Sequence, residues 1–180
     1  AAMLGVPVSM SMPDVVGVEI KGQLPEGVTA TDVTLTLTQM LRQHNVVGKF
    51  VEFFGTGLQQ LSVPDRATIS NMAPEYGATC GYFPVDEATL AFLQLTGKDE
   101  ATIERVASYC QAQHLFYNKQ VEPTYTDVIT IDLGAIEPSV AGPKRPQDRL
   151  SLPEVKQQFT VSNKQAVVRN ETLTDGSLVI

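Results

Sequence analysis

The pattern that most constrains the fold is a strand rhythm that keeps giving way to a helical one. Residues 16–21 set Val16, Val18 and Ile20 against Gly17, Glu19 and Lys21, a period of two that buries one face of a strand and leaves the other wet. The turn residues of "GQLPEG" close it. "TDVITIDLG", residues 126–134, is the clearest strand in the chain, and shorter ones are read at "KFVEFFG" and "CGYFP". Helical patterns lie between them. In "TATDVTLTLTQMLRQHNVVG" a threonine alternation competes with an apolar stripe at Val33, Leu37, Met40 and Leu41. Thr29 with Asp32 makes a capping-box start, which decides for a helix, and Gly48 lies beyond its end. Further helices are predicted at "SVPDRATISNM", capped by Ser62 with Pro64 in the first turn and Pro74 past the end, and at "DEATLAFLQLTG", "DEATIERVASYCQAQH" and "SLPEVKQQF". Strands and helices alternating in this way predict a layered α/β architecture.

The polar run "YNKQVEPTY", residues 117–125, reads as a linker, so a main α/β unit is expected over 1–125 and the start of a second over 126–180. "TLTDGSLVI" is predicted to be a hairpin with an Asp175-Gly176 turn. Its apolar end at Ile180 suggests a chain cut from a longer one.

Composition narrows the function classes. Hydrophobic residues make up 43% of the 180 and charged ones 18%, the balance of a folded globular domain. The net charge of -7 disfavours non-specific attraction to nucleic acid or anionic membrane, so any RNA contact must be local. No stretch approaches the roughly 20 apolar residues of a membrane span, and "AAMLGVPVSM" lacks the basic start of a signal peptide. No membrane partner and a cytoplasmic address are expected. Cys80 and Cys110 stand outside any Cys-x-x-Cys pattern and read as free core thiols, and no metal ligand set is expected from them.

Chemistry-bearing residues are few. In "NMAPEYGATCGYFP", residues 71–84, Asn71 and Glu75 are four apart with Pro74 between them, so they span a helix end and the turn after it. Two readings of the pair are open. Asn71 bonds a last-turn carbonyl while Glu75 is solvated, or the carboxylate sits in an apolar setting where it exchanges protons. "GTGL", residues 55–58, has neither the length nor the lysine of a phosphate loop and reads as a plain turn. "GPKRPQDR" gathers Lys144, Arg145 and Arg149 into a rigid loop that is either a solvated charge run or a contact for RNA or another domain. His44 and His114 end helical stripes, where packing or a dipole interaction outweighs metal binding.

Long collinear strings go further. Across "LPEGVTATD", "LTQMLR", "VVGKFVEFFGTGL", "DRATISNMAPEYGATCGYFPVDE" and "AGPKRPQDR" the sequence resembles the aconitase superfamily, on the branch of bacterial aconitase A and the cytosolic aconitase that doubles as an iron-regulatory protein. The resemblance runs through nearly the whole chain. It implies an α/β/α fold of the aconitase type, comprising the second domain and the beginning of the third. It also implies a parent that interconverts citrate and isocitrate through cis-aconitate by removing and returning water, in partnership with the remaining aconitase domains. A 4Fe-4S cluster serves that reaction in the family, held by cysteines of a Cys-Thr-Asn-Thr-Ser-Asn-Pro motif and a later Cys-x-x-Cys, neither of which is in this sequence. None of the cluster is therefore expected to bind this segment, and the segment alone is expected to be inactive.

In the family pattern N-M-x-x-E-x-G-A-T the asparagine lies against the cluster and the glutamate bonds the water or hydroxyl on the iron that no cysteine holds. These positions fall on Asn71 and Glu75. In the RNA-binding relative, positions matching Arg42, Asn71 and the "AGPKRPQDR" loop grip an mRNA hairpin, which makes Arg42, Lys144, Arg145 and Arg149 the RNA-contact candidates. This sequence has Ala141 where that relative has serine, and Arg149 where it has lysine, so a basic side chain is kept and a hydroxyl is lost. The iron-sulfur 2-methylcitrate dehydratase is the alternative within the superfamily.

Overall fold

The computed structural model describes residues 2–7, 9–121, 123–142, 144–158, 166–168 and 171–173. Its centre is a four-stranded parallel sheet of order β3-β2-β1-β4, formed by β1 (Val15–Lys21), β2 (Phe50–Phe54), β3 (Cys80–Tyr82) and β4 (Asp127–Asp132). The period-two reading of β1 holds. Val16, Val18 and Ile20 are fully buried in the main core with Val51 and Phe53 of β2, while Glu19 and Lys21 turn to the other face.

Helix α1 (Ala30–His44) leaves β1 and packs its Val33, Leu37 and Leu41 stripe against the core. The expected capping box is present: Thr29 Oγ1 accepts from the Asp32 N–H at 3.4 Å, and Asp32 Oδ2 accepts from the Thr29 N–H at 2.7 Å. The helix stops at Asn45, in the left-handed region at φ 61°, three residues before Gly48. "GTGL" forms a short 3-10 helix at Thr56–Gln60 instead of an open turn. Its tightness is steric, since a Cβ on Gly55 (φ 108°) would lie 2.4 Å from the Ile20 carbonyl oxygen.

Beyond β2 come α2 (Val63–Asn71) and α3 (Ala73–Tyr76), then β3, α4 (Glu87–Leu95) and α5 (Glu100–Ala112). Helix α5 ends before His114, which is exposed at φ 58° and not on the helical stripe expected for it. Residues on both sides of the expected division at residue 125 share one sheet, because β4 pairs with β1 from Val16↔Asp127 to Lys21↔Asp132. Two-residue strands β5 (Ser139–Val140) and β6 (Leu150–Ser151) pair antiparallel at the neck of the basic loop, and α6 (Leu152–Gln158) follows. The described hairpin pairs β7 (Ala166–Val168) with β8 (Glu171–Leu173). The predicted Asp175-Gly176 turn lies outside the described residues.

Candidate functional site

Helix α2 begins with a second capping box, Ser62 with Asp65, and Pro64 occupies its first turn. Its end departs from expectation. Pro74 does not stop the chain; it stands in the first turn of α3, where its missing N–H costs no helical bond. The break falls at Met72 (φ -82°, ψ 8°), whose N–H closes α2 onto Thr68 and Ile69 while its carbonyl receives the N–H groups of Glu75 and Tyr76. Ala73 and Tyr76 face the core, and the Tyr76 hydroxyl donates to the Ile69 carbonyl at 3.3 Å, which holds α3 against α2. Gly77 ends α3 in the left-handed region at φ 94°. Burial, reinforced by Cys80 and Glu75 nearby, pushes the Tyr76 phenol well above its usual range.

Two buried residues of α3 thus fix the backbone on which Glu75 sits. Glu75 is half-buried and not solvated as the plain helix-end reading requires: its Oε2 is closed off by protein and has no hydrogen-bond partner among the described residues. A buried acceptor left unpaired costs about 1–3 kcal/mol, so this oxygen marks a place where a donor is missing. Asn71, four residues earlier, is exposed at the last position of α2. No hydrogen bond or ion pair among the described residues joins Asn71 to Glu75.

Arg42 reaches the same helix end from α1. A Cβ on Gly77 would sit 2.8 Å from its Nη1, and the Gly48 N–H donates to the Gly77 carbonyl at 3.1 Å. The basic loop is docked one turn earlier on α1. Arg149 Nε donates to Gln39 Oε1 at 3.2 Å, its Nη1 bonds Ser139 Oγ, and Gln39 Nε2 donates back to the Arg149 carbonyl at 3.4 Å. At the neck, the Ser139 N–H donates to Asp32 Oδ1 at 2.7 Å. Burial alone would raise the Asp32 carboxyl, but the hydrogen bonds from Thr29 and Ser139 outweigh it and hold it below the usual range. Lys144 and Arg145 are exposed at the loop tip.

The structure therefore brings Arg42, the end of α3 and the neck of the basic loop onto one helix, while the Arg149 guanidinium is already engaged. Among the described residues no three His, Cys, Asp or Glu side chains gather closely enough to hold a metal ion. Cys80 is half-buried on the sheet, its thiol raised by burial, and Cys110 is buried in α5. Sequence reasoning missed Arg66 of α2, which is 4% exposed and ion-paired to Asp86 at 2.9 Å, with bonds to the Leu58 and Leu61 carbonyls. That pair anchors α2 to the start of α4 and so supports the frame around Glu75.

The aconitase family (aconitate hydratase) model matches residues 1–177. The aconitate hydratase A of Legionella pneumophila is 59% identical over 160 residues, which cover 88% of this chain and 18% of that protein. That of Escherichia coli is 56% identical over 164 residues, 91% of this chain and 18% of that protein. That of Pseudomonas aeruginosa is 58% identical over 159 residues, 88% and 18% respectively. The chain thus spans about one fifth of the length of the relatives it matches.

Proposed function

Because the chain belongs to the aconitase family, we propose that it is a segment of an aconitate hydratase and that it contributes Glu75 to the interconversion of citrate and isocitrate through cis-aconitate. The observation that carries this reading is the enclosed, unpartnered Glu75 Oε2. An acceptor held in place by two core residues and short of a donor is suited to take a hydrogen bond from a substrate hydroxyl and to pass it a proton as it leaves. The described residues offer an iron-sulfur cluster no ligand set, so its ligands belong to residues outside them and the isolated chain is inactive. Asn71, exposed at the end of α2, is a positioning residue beside that group. The names of the relatives, aconitate hydratase A in each case, favour citrate over 2-methylcitrate as substrate, and a cytoplasmic setting suits such an enzyme.

Glu75→Gln in the full-length enzyme is the test. It keeps the shape and a hydrogen bond but delivers no proton, so kcat for isocitrate dehydration should fall by about 100-fold to 10,000-fold with iron content unchanged. Retention of more than about half of kcat, where acid-base assistance demands at least a hundredfold loss, overturns the assignment.

A second reading rests on the exposed Lys144 and Arg145 at the tip of a loop whose neck is clamped to α1. A rigidly presented basic pair beside Arg42 suits an RNA phosphate backbone. If it serves that role in the parent, replacing both with alanine weakens RNA binding in a gel-shift and lowers its salt dependence.

A further inference from the structure

A carboxylate flanked by aromatic side chains stands on the face of the sheet that α1 does not cover. Glu52 lies in β2 between Val51 and Phe53, whose side chains enter the core, so its own side chain belongs to the opposite face. Strand register sets its neighbours. On one side Glu52 is aligned with Tyr82 of β3, and on the other with Gly17 of β1. Gly17 has no side chain, and the ring of Tyr125 lies in the space: a Cβ there would come 2.4 Å from the Tyr125 ring. Phe54, two residues along β2, shares the face and stacks on Tyr125 with ring centroids 5.1 Å apart. The Tyr125 hydroxyl donates to Glu52 Oε1 at 3.1 Å.

Three rings and one carboxylate thus meet on the wall of a cavity of about 920 Å³, within the size range of small-molecule sites. The cavity opens at the carboxyl ends of β1, β2 and β3, where open parallel sheets bind ligands. Its electrostatics are set by Glu52. Lys21, the basic residue on the neighbouring strand, is paired with Glu19 at 2.9 Å, Lys119 is exposed on the strap after α5, and among the described residues no basic side chain pairs with Glu52. Burial and then the Glu52 charge raise the phenols of both Tyr82 and Tyr125, as expected of rings lying close to an anion.

We propose that this cavity binds a small organic ammonium ion, its head paired with Glu52 and held against the rings of Phe54, Tyr82 and Tyr125. Aromatic rings and one carboxylate suit a diffuse, weakly hydrated cation, whereas a bare hard metal ion needs several oxygen ligands at once. The site lies on the other face of the sheet from the core that seats α3, and does not rest on the role of Glu75.

The test titrates tetramethylammonium chloride into the 180-residue chain and follows the methyl protons by ligand-observed NMR, with tert-butanol as the neutral comparison at equal ionic strength. Saturation transfer and an upfield shift are expected for the ammonium ion alone. Glu52→Gln should weaken binding at least tenfold, and Phe54→Leu by a factor of about 2 to 30, the range of one cation–π contact. Far-UV circular dichroism checks that both variants are folded. A parallel titration with N-acetyl-lysine methylamide separates the sources, since tighter binding of that compound assigns the site to a protein side chain and weaker binding to a free amine. Equal behaviour of tetramethylammonium and tert-butanol overturns the proposal whether or not the variants fold. So does a folded Glu52→Gln chain that binds as tightly as the parent.

Discussion

The same three strands present two unlike surfaces. On one face Val16, Val18, Ile20, Val51 and Phe53 are wholly enclosed, and every neighbour is another apolar group. On the other face Glu19, Lys21, Glu52, Phe54 and Tyr82 are all at least partly exposed and line a cavity. Because side chains alternate along a strand, the two surfaces are built from adjacent residues of one backbone. Stability can therefore be concentrated on one side and recognition left to the other, and a substitution one position along a strand should change its character entirely.

The sharpest contrast is between Phe53 and Tyr82. Phe53 is fully buried and stacks on Phe83 with centroids 4.3 Å apart, so Phe53→Ala should cost about 3–5 kcal/mol in urea denaturation. Tyr82, 37% exposed, should cost well below that on truncation to alanine, and equal losses would erase the distinction between the faces. Gly55→Ala comes next. Its φ of 108° and the Ile20 carbonyl oxygen, 2.4 Å from where a Cβ would stand, leave no room for a methyl group, so a loss of more than about 1 kcal/mol is expected.

Thr29→Ala removes one half of the α1 capping box and should cost about 1 kcal/mol, seen as a lower urea midpoint with an unchanged slope. A pH titration probes the other half. The Asp32 carboxyl is depressed in the folded chain by Thr29 and Ser139, so its contribution is complete above the unfolded value near about pH 4 and is lost as pH falls through the lower folded value. Asp32→Asn should flatten that acid limb. An unaltered limb would mean that the Ser139–Asp32 clamp adds nothing to stability.

What the sequence revealed was local. The alternation at Val16, Val18 and Ile20 and the Thr29–Asp32 and Ser62–Asp65 boxes are set by residues within a few positions of one another, and they appear where expected. Pro74 was misleading because proline is compatible with both the end of one helix and the first turn of the next, and the backbone at Met72 makes the choice. For the candidate site, spacing left Glu75 between a solvated and an enclosed carboxylate, since its enclosure comes from packing around α3. Glu52 gave no signal at all. Its setting depends on Tyr125, 73 residues away, filling the space over Gly17. A glycine inside an apolar strand was the one available hint, as it marks a place where something approaches closely.

The position of β4 has a temporal consequence. Its hydrogen bonds to β1 close a separation of 111 residues, whereas β1, α1 and β2 are near neighbours in the chain. Closing so long a loop is entropically the more demanding event, so β1, β2 and β3 should assemble first, leaving the outer edge of β1 bare until residues 127–132 arrive. On a ribosome adding about 5–20 residues per second, that edge stays open for seconds after β1 emerges. During this interval the nascent chain presents unpaired backbone donors and acceptors to any other strand nearby, which makes the arrival of β4 the step that ends its exposure to misassembly.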